Sequence, residues 1–211
     1  MGRALVVCGS ARMNGVTDSM SRSAVSALEK AGYDVSLEYV TDDIVHCRDC
    51  GLCTDGQCAI DDAMSPIYEA FSESDLLVLV TPIHFSGPSS LIKTVMDRFQ
   101  PYWFVKDMPH PSQMMALMCG GSDSPEFRPT IKIMRAFAAM LGMEWMGHLE
   151  VSGTDRTKGE DAPEAVARFI ERAVSSDAER WSSRIPVHPM PGTRTGSPMG
   201  RCSRSSPTRR M

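Results

Sequence analysis

Residues 3–21 read RALVVCGSARMNGVTDSMS. The first part, RALVVCGS (3–10), is a short apolar run ending in Gly-Ser, which predicts a strand. From Thr17 the spacing changes: TDSMSRSAVSALEKAG (17–32) sets Met20, Ala24, Ala27, Leu28 and Ala31 on a helical period and stops at Gly32. The loop between them, GSARMNGVTDS, thus joins a strand end to a helix start. Free backbone N–H groups and the helix dipole make such a junction an anion site. Ser10, Asn14 and Thr17 add side-chain donors, and Arg12 adds a positive charge. The loop is not G-x-G-x-x-G and lacks the Gly-Lys-Ser/Thr of a Walker loop, which disfavours a dinucleotide fold or an NTPase. Its hydroxyls suit a single phosphate. Taken alone, it reads equally well as an ordinary strand-to-helix turn with an N-cap.

Working outward, the same alternation repeats. DVSLEYV (34–40) predicts a second strand, and DDAMSPIYEAFSES (61–74) a short helix that Asp61 or Asp62 would cap. DLLVLVTP (75–82) is the most apolar run and reads as a buried central strand. GPSSLIKTVMDRF (87–99) carries Leu91, Ile92, Val95, Met96 and Phe99 on one helical face. QMMALMCGG (113–121) predicts a fourth strand, PEFRPTIKIMRAFAAMLG (125–142) a helix closed by Gly142, and MEWMGHLEVSG (143–153) a fifth strand. DAPEAVARFIERAVSSDAERW (161–181) predicts the last helix, with Pro163 near its start. Strands alternating with helices mean βαβ units, and hence an α/β doubly wound, five-stranded parallel sheet with helices on both faces. Such sheets bind ligands at the carboxyl ends of the strands, where the strand order reverses. In the order 2-1-3-4-5 that point lies between strands one and three, so loops 9–17 and 81–88 frame the expected site. The single phosphate suited to the first loop is of the kind that flavin mononucleotide (FMN) carries.

The chain has 211 residues, 42% hydrophobic and 23% charged, which fits one soluble domain with a core. No apolar run approaches the ~20 residues of a membrane span, and the start reads as a strand rather than a signal peptide. A cytoplasmic location is the expectation. Net charge is -4, unevenly spread. Residues 182–211 hold six Arg, five Pro and six Ser with no Asp or Glu, leaving 16 basic against 26 acidic residues before them. The domain therefore spans residues 1–181, and 182–211 form a basic tail whose composition predicts disorder. An acidic body argues against nucleic acid as the main partner.

Four of seven cysteines fall in VHCRDCGLCTDGQCAIDD (45–62), at Cys47, Cys50, Cys53 and Cys58. In a reducing compartment, clustered thiols point to metal or redox chemistry rather than staples. The C-x2-C-x2-C-x4-C spacing lets four thiolates meet around one cubane. Structural zinc favours two pairs set further apart, yet remains open, as do bare redox thiols. Gly51 and Gly56 permit tight turns that bring amides toward sulfur. Cys8 and Cys119 read as core cysteines, and Cys202 as a free thiol in the tail.

GSARMNGVT resembles the Gly-Ser-Pro-Arg-x-x-Gly-x-Thr/Ser loop of the NADPH-dependent FMN reductase family, which has a flavodoxin-like fold. LVTPIHFSGPSSLIKTVMDR resembles that family's second signature, with Ser90, Lys93, Asp97 and Arg98 keeping its helical part. CGG (119–121) and FAAMLGMEWMG are also similar, so the likeness spans roughly residues 3 to 180. The resemblance implies FMN at the carboxyl edge of the sheet. Ser10, Arg12, Asn14 and Thr17 would take its phosphate, with Gly15 and Val16 offering backbone. Pro82, Ile83, His84, Phe85 and Ser86 would line the isoalloxazine ring, and Gly120 and Gly121 would flank it. Ala11 replaces the usual Pro, Val16 replaces a polar residue, and His84 replaces the usual Tyr. A His there can carry charge, which would favour anionic reduced flavin.

The cysteine run resembles the compact motif of the iron–sulfur flavoproteins, a branch of that family, where four cysteines bind a [4Fe–4S] cluster. By that likeness Cys47, Cys50, Cys53 and Cys58 hold the cluster, at the sheet edge where FMN sits or reaching a neighbouring subunit's flavin. The leading reading is an FMN-dependent oxidoreductase passing electrons between NAD(P)H or ferredoxin, FMN and the cluster. A cluster-free NAD(P)H-dependent FMN or quinone reductase is the second reading. A thiol- or metal-based redox-sensing binding protein is the third. No catalytic acid or base is demanded. The resemblance implies a homo-oligomer, dimer or tetramer, and QPYWFVKDMPHP (100–111) is the candidate interface loop.

Overall fold

The computed structural model describes residues 1–182. The basic tail beyond them, Cys202 included, lies outside the described residues. Strands β1 (Arg3–Cys8), β2 (Asp34–Tyr39), β3 (Leu76–His84), β5 (Gln113–Cys119) and β6 (Glu144–Val151) form one parallel sheet in the order β2-β1-β3-β5-β6. This is the expected doubly wound order, the numbering shifted by β4 (Gly87–Pro88), a two-residue strand that returns antiparallel along the end of β3. The helices are α1 (Val16–Lys30), α2 (Ser65–Glu73), α3 (Ser90–Arg98), α4 (Gln100–Phe104), α5 (Arg128–Met140), α6 (Thr154–Thr157) and α7 (Ala162–Ser182).

The central strands are near-continuous apolar runs because both faces are covered. Their two-residue period splits the core. Leu5, Val7, Leu77 and Leu79 face α2, α3 and α5 through Phe71, Ile92, Val95 and Met134. Ala4, Val6, Leu76, Val78 and Val80 face α1 and α7 through Met20, Leu28, Val166 and Ile170. Cys8 and Cys119 are buried as expected, and burial pushes both thiols up, which leaves them inert.

Three local expectations are revised. The 100–111 segment is not a bare loop: it opens with α4, and Tyr102 turns into the core against Phe71 and Phe99. Trp103 and Phe104 stay about half exposed, with the Lys106 ammonium 3.9 Å over the Trp103 ring. Neither Asp61 nor Asp62 caps α2; the Asp62 carboxylate accepts the Met64 N–H just ahead of the helix and otherwise faces Arg98. Between β6 and α7 the short α6 was not visible as periodicity, being a single turn.

The two loops of the switch point are fastened together. Ser89 caps α3 by accepting the Ile92 N–H, and its hydroxyl donates to the Gly9 carbonyl at 2.7 Å. Its own N–H donates to Thr81 Oγ1. Gly9 sits so close to α3 that a Cβ there would lie 2.0 Å from Ile92 Cγ1. Gly9→Ala is therefore expected to destabilise the protein by about 2–3 kcal/mol, the range for overpacking, read as a lower urea midpoint; an unchanged midpoint would contradict the close approach.

Candidate functional site

The loops after β1 and β3, with those after β5 and β6, enclose a cleft of about 1340 Å³. Every cofactor residue expected from the sequence lines it: Ser10, Arg12, Asn14, Gly15, Val16 and Thr17 on one side, then Pro82, Ile83, His84, Phe85 and Ser86, and Gly120 with Gly121 beyond.

On the first side, no side chain caps α1, so its opening N–H groups are left for an anion. The loop shapes itself internally. Ser10 Oγ accepts the Arg12 N–H, and Asn14 takes a left-handed φ of 59°. Asn14 is held there because its N–H donates to Asp18 Oδ2 at 2.9 Å. Its amide N–H thus turns into the protein, leaving the side chain for a ligand. Asp18, 1% exposed, also accepts from the Tyr39 hydroxyl and Arg22 Nε. Burial works to raise the Asp18 pKa, but the bonds from Tyr39, Arg22 and Asn14 outweigh it and hold the carboxyl below its usual range. Partial burial, then the hydrogen bond to and charge of that carboxylate, push half-buried Tyr39 up to about 12. Thr17 is buried, its hydroxyl 3.3 Å from the Cys119 sulfur. Val16 packs on Gly159, where a Cβ would come within 2.5 Å of Val16 Cγ1. Its side chain is thereby occupied on that side.

The second loop is a tight hairpin. His84 pairs with Gly87, and Phe85 and Ser86 between them have φ of 49° and 64°. Two positive φ values define a turn that usually needs Asn-Gly, so Phe-Ser there is strained. The buried Thr130 hydroxyl donates to the Ser86 carbonyl at 2.9 Å and restrains it. Phe85 projects wholly into solvent at the cleft rim.

The far wall is packed most tightly at Gly120, against the rigid Pro125 ring. A Cβ on Gly120 would come within 2.5 Å of Pro125, and one on Gly121 within 2.5 Å of Asp155 Oδ2. Thr154, Asp155 and Lys158, from the loop after β6, line this wall and were missed by sequence reasoning. Their signal was SGTD directly after the last strand, at the same carboxyl edge.

The four loop cysteines do not line this cleft within one chain; the other expected arrangement, reach to a neighbouring subunit's flavin, concerns a partner. The four line a second cavity with Arg48, Asp49, Ile60, Arg98, Pro101 and Phe104. Helix α3 separates the two: Ser90 at its start lines the cleft and Arg98 at its end lines the cysteine cavity. Eight helical rises put them about 12 Å apart.

Arg98 closes the cysteine loop. Its Nη1 donates to the Val45 carbonyl and to Asp62 Oδ2, each at 2.6 Å, and Nη2 to the Ile60 carbonyl and Asp62 Oδ1. Asp62 also accepts the Val45 N–H, so both ends of the loop meet on one ion pair. Both side chains are buried. Burial works to raise the Asp62 pKa, but Arg98 and the Val45 and Met64 amides hold it below its usual range. Among the described residues, no three His, Cys, Asp or Glu side chains converge to metal-binding distance. The donor set nevertheless suits a soft metal. Burial, then the nearby Cys58, Cys47 and Cys50, push the Cys53 thiol up.

The model of the NADPH-dependent FMN reductase family matches residues 3–158. The chain belongs to this family. Within it, an iron–sulfur flavoprotein of Archaeoglobus fulgidus is 30% identical over 102 residues, covering 47% of this chain and 46% of that protein. One of Methanocaldococcus jannaschii is 31% identical over 97 residues, covering 45% and 50%. The chain thus spans about half the length of these relatives. Among solved structures, a flavone reductase superposes with TM-score 0.63 at 21% identity, covering 86% of this chain and 64% of that one. A quinone oxidoreductase of Methanothermobacter marburgensis gives 0.61 at 13% identity, covering 82% and 97%. These two likenesses bear on the fold, the flavodoxin-like architecture anticipated from the sequence. No helix among the described residues is long and apolar enough to cross a membrane.

Asp18 and Asp62 both have folded pKa values below the unfolded carboxylate value of about 4. Their contribution to stability is complete above that value and is lost as pH falls through the folded values. Stability should therefore drop in acid, and Asp18→Asn should flatten that limb in urea titrations run from pH 6 to 2. Asp62→Ala, which strands a buried guanidinium, should cost about 3–5 kcal/mol at neutral pH; a loss within error of zero would contradict the clamp.

Proposed function

We propose that this protein is an FMN-dependent oxidoreductase that takes electrons from NAD(P)H or a ferredoxin-type donor and exchanges them with a [4Fe–4S] cluster. The observation that carries the reading is the shared cleft: Ser10, Arg12, Asn14, Gly15, Val16 and Thr17 meet Pro82, Ile83, His84, Phe85 and Ser86 at the β1–β3 switch point. Ser10, Arg12, Asn14 and the start of α1 hold the phosphate. Pro82 to Ser86 lie along the ring, and Gly120 and Gly121 let backbone approach it. Bound there, the flavin supplies the change between two-electron and one-electron transfer; the chain's part is to place it and set its surroundings. The cleft is far larger than one phosphate needs and leaves NAD(P)H room to stack transiently.

Cys47, Cys50, Cys53 and Cys58 would hold the cluster. What supports this is their soft donor set, their common cavity and the iron–sulfur relatives. A cluster-free NAD(P)H-dependent FMN or quinone reductase is the second reading, favoured by the four sulfurs not converging among the described residues. In either reading the protein works in the reducing cytoplasm, where thiols stay available. It acts as a homo-oligomer, with the half-exposed Trp103 and Phe104 as candidate contacts.

Anaerobic purification separates the readings. Flavin bands with a broad shoulder near 400 nm, and about four irons and four sulfides per chain, are expected. Cys50→Ala should lose the iron and keep the flavin. Flavin without iron establishes the second reading, and absence of flavin removes both. His84→Phe keeps a ring at the cleft and removes a chargeable group. It should lower the midpoint potential of the bound flavin in a spectroelectrochemical titration, and an unchanged potential would dismiss the role given to His84.

A further inference from the structure

A guanidinium has five N–H donors. In Arg98, whose side chain is fully buried, four are accounted for: Nη1 serves Val45 and Asp62, and Nη2 serves Ile60 and Asp62. The fifth, on Nε, has no partner; it is the one buried side-chain polar atom left unsatisfied among the described residues. Such a donor on a buried cation is costly to leave unmet, and in native proteins it is met by an ordered water or by an acceptor on a bound group.

Arg98 lines the same cavity as the four cysteines. Of the other side chains there with acceptor atoms, Asp49 and Gln100 are exposed, whereas Cys47, Cys53 and Cys58 are partly buried. The Tyr68 hydroxyl donates to the Arg98 carbonyl and, although its oxygen keeps acceptor capacity, it makes no hydrogen bond with Nε. A neutral thiol accepts hydrogen bonds weakly, while an ionised sulfur accepts them well.

We propose that the Nε–H of Arg98 is the hydrogen-bond donor to an anionic sulfur, thiolate or sulfide, of the iron–sulfur centre held by the cysteine loop. This rests on the cluster reading above. Arg98 then has two duties. Through Nη1 and Nη2 it sets the loop ends; through Nε it stabilises the more negative, reduced form of the centre. Asp62 neutralises its net charge, so the effect comes from one directed N–H. Donors to cluster sulfur raise the reduction potential. Arg98 is thus a positioning and tuning residue and takes no part in bond making.

The test uses full-length protein, loaded anaerobically with iron and sulfide, grown with arginine labelled with ¹⁵N at Nε. Pulsed electron paramagnetic resonance of the reduced centre should show a ¹⁵N coupling. In Arg98→Lys, which keeps the charge and lacks this N–H, the coupling should vanish and the midpoint potential shift downward at matched iron content. Asp62→Asn weakens the clamp and keeps the donor, so its coupling should persist. Where Arg98→Lys holds no iron, the labelled wild type decides alone. Iron-loaded wild type without a ¹⁵N coupling, or a coupling that survives in Arg98→Lys, overturns the inference and leaves the cluster reading standing. A wild type that takes up no iron removes the cluster reading itself, and this inference with it; the iron assay tells the two failures apart.

Discussion

The buried pair of Arg98 and Asp62 ties both ends of the cysteine loop to the end of α3. Removing two charges from water is unfavourable, and such a pair persists only when its remaining hydrogen-bonding capacity is met. Here the backbone at Val45, Ile60 and Met64 supplies most of that need. The result is a loop whose glycine- and aspartate-rich sequence has little core of its own, yet whose two ends are fixed at one point. That point is the last residue of α3, and α3 begins at Ser90, beside the cap that fastens the Gly9 and Thr81 segments. One nine-residue helix therefore holds the cleft at its start and the cysteine cavity at its end.

The cleft itself is built from two loops that solve different problems. The first must leave backbone N–H groups unpaired without collapsing. It does so by turning the Asn14 amide inward onto the buried Asp18, which leaves the opening of α1 uncapped. The Asp18 carboxylate beside this loop is committed to Tyr39, Arg22 and Asn14 and so turned away from the cleft. The second loop is a strained two-residue turn. Left-handed backbone at Phe85 and Ser86 costs about 1–3 kcal/mol for each residue. Thr130, from α5, holds the turn in place, so the strain is met from outside the loop.

Much of this was legible in the chain. Residues 4–8 (ALVVC) and 76–80 (LLVLV) are apolar at every position because two helical layers cover them, and that pattern identifies buried parallel strands. Gly120 and Gly121 were expected beside the ring, whereas the tight packing of Gly9 on Ile92 and of Gly120 on Pro125 appears only in the structure. That loops 9–17 and 81–88 would face one cleft was readable because they occupy strand ends at the switch point, which follows from topology.

Other features were not readable. Asp18 looks like an ordinary first-turn acid, and Asp62 like a helix cap; only the placement of Tyr39 and Arg98 gives them their roles. Thr154, Asp155 and Lys158 join the cleft because the sheet carries the β6 loop over it. The cysteine run declared its chemistry by spacing, but its position beside the end of α3 rather than at the cleft depended on a contact 36 residues away in sequence. The sequence by itself determined the order of elements, the two-sided core and the residue types at each strand end, since these are written in local periodicity and short motifs. Which buried groups face one another, and how far the thiols lie from the cleft, was decided by the tertiary structure. Such pairings depend on long-range packing, which no local pattern encodes.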